Sequence, residues 1–147
     1  MLSRVILPLM LVSCSCGWEP ATATFADPSG KLNIQITRLR AHLFLPKYAH
    51  HVVVDGSAES GSSWAYSVGG SGNPAGGYRA NLYRFDGRVL ILCDLHDNYA
   101  IDRESAKREP ACRKGGLFVG SFDEDSTGRW RFISAKERAE LPLQVGR

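Results

Sequence analysis

The chain has 147 residues, a formal charge of +3 at neutral pH, and 44% hydrophobic and 22% charged residues. That length and balance suit one domain with a real core and argue against global disorder. The charge is small and its lysines and arginines are scattered among acids, which argues against a nucleic-acid partner.

The chain opens on one cation, Arg4, followed by an apolar run from Val5 to Val12 and then Ser13 and Cys14. A basic start, a greasy centre and small residues make the layout of an export signal, too short to span a bilayer. Nothing after residue 14 is long and apolar enough for a transmembrane helix. The four residues Leu11-Val12-Ser13-Cys14 resemble the lipobox of bacterial lipoproteins. The resemblance covers residues 1–14 and concerns a class of signal peptide, not a fold family. It implies that residues 1–13 are removed, that the Cys14 thiol carries a diacylglyceryl group, and that the new amino terminus is acylated. The expected partner is then the membrane, reached through the lipid anchor on the periplasmic side of the cell envelope. Ser15, where Asp would imply inner-membrane retention, leans towards the outer membrane. One acyl chain binds marginally, whereas two or more anchor stably at ~0.8 kcal/mol per buried methylene. The alternatives are a plain signal peptide or a partly buried N-terminal strand with incidental cysteines. Cys16 has no evident role.

Residues 14–30, rich in Pro, Ala, Thr, Ser and Gly, read as a flexible tether, and the folded domain is expected over 31–147. Leu32, Ile34 and Ile36 alternate with polar residues, the pattern of a strand with one buried face. Further strands are expected at 51–54, 63–68, 79–85, 88–92, 117–122 and 129–133. Asp86-Gly87 reads as a type I′ hairpin turn. Residues 102–109 could form a turn or two of polar helix before Pro110. Ser134-Ala135-Lys136-Glu137 fits a capping box, which predicts one short C-terminal helix over 135–140, ended by Pro142. The fold class is mostly β: a small antiparallel β-sandwich or barrel.

Cys93 and Cys112 lie in the folded region, and export would place them in an oxidising compartment, so a disulfide is expected between them, the alternative being two free thiols, one buried on a strand. Such a bridge stabilises by about 3 kcal/mol on loop entropy. It would close a charged loop, 94–111, carrying Arg103, Lys107 and Arg108 among Asp102, Glu104 and Glu109. A preorganised loop lowers the ordering cost of binding, which makes these three cations the candidate binding residues, beside the plainer reading of a solvated connection.

Other motifs fare worse. Asp94, His96 and Asp97 are a dense polar cluster that could orient a base or hold a metal, but a polar strand end explains them more simply. Residues 123–128 resemble half of a calcium loop, yet the distal Glu is missing and a hairpin tip fits better. Residues 70–75 carry the letters of a dinucleotide fingerprint without the helix it needs. His50 and His51 alternate to opposite faces. No cofactor, metal or catalytic residue is assigned. The expectation is a non-catalytic envelope binding domain of the inhibitor or immunity type, with an envelope or effector protein as partner. The alternatives are a small metal-dependent hydrolase using Asp94, His96 and Asp97, or a structural lipoprotein of envelope assembly.

Overall fold

A computed structural model describes residues 20–40, 48–56, 63–68, 79–94, 98–111 and 116–143. The described residues are mostly β, in two antiparallel sheets. The first is a four-stranded meander of β1 (Ala21–Ala26), β2 (Leu32–Arg40), β3 (Tyr48–Gly56) and β4 (Ser63–Val68), paired in that order. The second contains β5 (Ala80–Arg84), β6 (Val89–Cys93), β7 (Asn98–Asp102), β8 (Arg108–Pro110), β9 (Leu117–Glu124) and β10 (Trp130–Ser134). Its spatial order is β10-β9-β5-β6-β7-β8, so the return of β9 to the side of β5 is the one crossover among these strands.

Alternation explains the core. In β2 and β3, Ile34, Ile36, Val52 and Val54 point one way and are fully buried. Leu82, Leu90, Leu92, Ile101 and Phe122 answer from the second sheet, and all belong to one apolar cluster. Phe132 packs against Phe25 of the first sheet and Phe122 of the second, each with ring centroids 5.0 Å apart. The Trp130 indole donates across the interface to the Ile36 carbonyl at 2.9 Å. At the same end the Arg38 guanidinium pairs with Glu124 and lies 4.4 Å over the Tyr48 ring. The pairing of β5 with β9 shifts register between Leu82 and Tyr83. Gly120 faces Leu82 at this bulge, and a methyl group there would collide with the Ile133 carbonyl and the Phe132 ring.

Four expectations are corrected. The tether does not extend to residue 30: residues 21–26 are strand β1, paired with β2 from Ala21↔Arg38 to Ala26↔Asn33, and they bury Ala23 and Phe25. The short helix over 135–140 is absent. Glu137 does accept from the Ser134 N–H at 3.2 Å and its hydroxyl at 3.0 Å, so the capping contacts form. They close a turn only: Ala135, Lys136, Glu137, Ala139 and Glu140 are all exposed, so no packed face offsets the cost of helix nucleation. Over residues 102–109 a single turn forms, closed by the Ala106 N–H on the Asp102 carbonyl at 2.8 Å, and strands β7 and β8 flank it in place of a helix. The Asp86-Gly87 turn does join two paired strands, but it is not type I′, because Gly87 has no positive φ. Instead the Asp86 carboxylate accepts from the N–H groups of Arg88 and Val89, both at 2.7 Å.

A chain beginning at Pro20 should therefore unfold cooperatively in urea, whereas one beginning at Lys31 should not. Phe25→Ala should cost about 3–5 kcal/mol, read from the shift in unfolding midpoint. Equal stability of the two shortened chains would restore the tether reading.

Candidate functional site

The β7–β8 connection is built around Asp102. One of its carboxylate oxygens accepts from the N–H of Glu104 at 3.0 Å and from the N–H and hydroxyl of Ser105 at 2.9 and 3.1 Å. The other accepts from Arg88 Nε at 2.6 Å. These bonds, led by the Ser105 N–H, hold the carboxyl down at about 2. Ala106 takes a left-handed conformation, φ 53°, and is fully buried. Its carbonyl accepts from the Trp64 indole of β4 at 2.5 Å, which latches this turn to the first sheet.

The three candidate cations go three ways. Arg103 turns inward: its Nη2 donates to both Asp27 oxygens, at 2.8 and 2.7 Å, and its Nη1 to the Gly87 carbonyl at 2.5 Å. The Asp27 side chain is 0% exposed and that of Arg103 16%. Burial pushes the Asp27 carboxyl up, but the bonds from Arg103 and Ser29 outweigh it and leave the group below its ordinary value. Arg108 stacks 4.8 Å over Trp64 and 5.3 Å over Tyr99. Lys107 lines an open cleft of about 330 Å³ with Arg88, Val89, Ala100, Asp102 and Glu109. This cleft has a short apolar floor of Val89 and Ala100 with both charge signs around it.

Asp94 is buried at the end of β6, while His96 and Asp97 lie outside the described residues. Cys93 is buried on β6; Cys14 and Cys112, and the loop at 70–75, are likewise outside. Among the described residues no three His, Cys, Asp or Glu side chains are grouped to hold a metal. At the β9–β10 tip, Asp125 accepts from Thr127 and Arg129 and pairs with Arg131, so its carboxylate closes the hairpin. Asp123 meets Arg79 at 2.8 Å and Arg138 at 2.6 Å. His50 faces inward, 5.6 Å from Trp130. Burial, then the charge of Arg38, pushes it down to about 4.

Comparison with protein-family models, with curated proteins and with solved structures found no match. The site must be read from its own geometry.

A second polar surface had no signal in the sequence. Register places Ser121, Asn81, Cys93 and Asn98 in one row across β9, β5, β6 and β7, on the face opposite the core. Residues 138–142 cross the β9–β5 part of this face. Polar residues in strands pass for solvated ones, and only the cross-strand register brings these four together.

Arg103→Ala should cost about 3–5 kcal/mol, because it strands a buried carboxylate, whereas Lys107→Ala should stay within about 0.5 kcal/mol. His50 has a folded pKa below its unfolded value near 6.5, so the unfolded chain takes up that proton first. Its contribution is complete above about pH 6.5 and is lost as pH falls towards about 4, at up to about 1.4 kcal/mol per unit. Urea midpoints across that window should flatten in His50→Gln. Asp102 acts in a lower window, its contribution fading from about pH 4 to about 2.

Proposed function

We propose that the protein is a lipid-anchored component of a bacterial cell envelope whose β domain binds another envelope or effector protein. The address rests on Leu11-Val12-Ser13-Cys14, with Cys14 the lipidated residue. The two sheets, sharing one core, close as a sandwich on this reading, and Cys93 is bridged to Cys112. Binding is supported by the cleft at Lys107. Its walls are held rigid by the Asp102 network and the Trp64 latch, so little ordering cost remains when a partner docks. Lys107 and Glu109 are exposed at its rim beside the Arg88–Asp102 pair. Arg103 and Arg108 contribute by shaping this surface, the first from below and the second from the opposite face.

Cys14→Ser should abolish palmitate labelling and release the protein from membranes on fractionation. Continued labelling would reject the lipid assignment. For the binding reading, a photo-crosslinking residue placed at Lys107 in living cells should give one discrete adduct with an envelope protein. Placed at Thr22, on the exposed side of β1, it should give none. The same adducts from both positions, or none from either, would reject the cleft as the contact surface.

A further inference from the structure

The segment that follows β10 is held as a bound peptide would be. Arg79, Asn81 and Tyr83 occupy alternate positions along β5 and its approach, so they share a face. Arg79 Nη1 donates to the Pro142 carbonyl at 2.9 Å, and Asn81 Nδ2 to the Leu141 carbonyl at 3.1 Å. The Tyr83 hydroxyl donates to the Glu140 carboxylate at 2.7 Å. Two consecutive main-chain carbonyls and one acidic side chain are thus read by three side chains. Burial, reinforced by the Glu140 carboxylate, pushes the Tyr83 hydroxyl up to about 12, so it donates at any physiological pH.

Two further observations separate this segment from ordinary packing. Its apolar side chains are not what holds it, since Leu141 is 36% exposed and Ala139 and Pro142 are exposed as well. The face beneath offers more hydrogen bonding than the segment uses. Asn81 Oδ1 and Ser121 Oγ are buried without a partner, on side chains 99% inaccessible, and Asn98 Oδ1 continues the same row unpartnered. Buried acceptors in this position call for N–H groups, which an extended main chain supplies at regular intervals.

We propose that the outer face of β5 and β9 is a binding site for an extended peptide segment of a partner protein, one that carries a carboxylate side chain opposite Tyr83, and that residues 139–142 occupy this site in cis. The partner displaces the segment and satisfies Asn81 and Ser121 with its own main chain. Arg138 stays behind on Asp123 and marks where the displaceable part begins. The site is separate from the cleft at Lys107 and does not depend on it.

The test is a fluorescent peptide with the sequence of residues 139–143, titrated by anisotropy into chains carrying Cys14→Ser. One is intact and one ends at Arg138. The shortened chain should bind at least tenfold more tightly than the intact one, because the tethered segment competes at high effective concentration. Asn81→Ala and Tyr83→Phe should each weaken binding at least fivefold, as should Gln in place of Glu in the peptide. A shortened chain that unfolds cooperatively yet binds no peptide, or binds it regardless of those changes, overturns the proposal. If the shortened chain does not fold, hydrogen exchange in the intact chain decides. Amides 139–141 exchanging at least a hundredfold faster than those of β9 support a displaceable segment, and protection equal to β9 overturns it.

Discussion

The ion pair between Asp27 and Arg103 fixes how the two sheets meet. Asp27 sits in the turn after β1, and Arg103 in the turn after β7, on the other sheet. Arg103 also reaches the Gly87 carbonyl, and its own N–H bonds to the Arg88 carbonyl at 2.9 Å. Three turns therefore converge on one half-buried guanidinium. Removing two charges from water is costly, and such a pair adds little net stability over an apolar substitute. Its value is geometric: an alternative register would leave a buried charge unmatched, so one arrangement of these turns is singled out. The Asp102 network and the cleft beside it follow from that arrangement.

The opposite end is fastened by different chemistry. Trp130 hydrogen-bonds to Ile36, and Arg38 lies between Tyr48, Trp130 and Glu124. The Trp64 latch onto Ala106 adds a third link between the sheets. With the sheets joined this way and their facing sides filled by aliphatic and aromatic side chains, polar chemistry is displaced to the outer face of the larger sheet. That face carries both the cleft at Lys107 and the row running from Ser121 to Asn98. Recognition surfaces on paired strands are stiffer than those on loops, which reduces the ordering cost of contact.

Much of this was legible in the residues, for a physical reason. Ile34, Ile36, Val52 and Val54 alternate with polar neighbours, and period-two burial is the strongest local signal a half-buried strand can give. β1 escaped because Ala-Thr-Ala-Thr alternates only weakly: a buried alanine and an exposed threonine differ little in apolar surface, and only Phe25 betrays the inward face. β7 and β8 escaped because Asn98, Asp102 and Glu109 look solvated while their backbones pair. The capping box at Ser134 was chemically right and structurally insufficient, forming its contacts without a helix behind them. Arg103 read as a displayed cation, since no local pattern reveals a partner 76 positions away.

The edge strand β8 has one more consequence, concerning neighbours in a crowd. An unpaired strand edge invites another chain to add itself. Here the edge is three residues long, exposed, and ends in Pro110, which has no N–H to offer. Its middle and first residues, Glu109 and Arg108, carry opposite charges, and the second of these is folded over Trp64 and Tyr99. A neighbouring copy approaching along this border would find too short a ladder to zip onto. Copies that meet along this border therefore cannot extend the larger sheet from one molecule into the next.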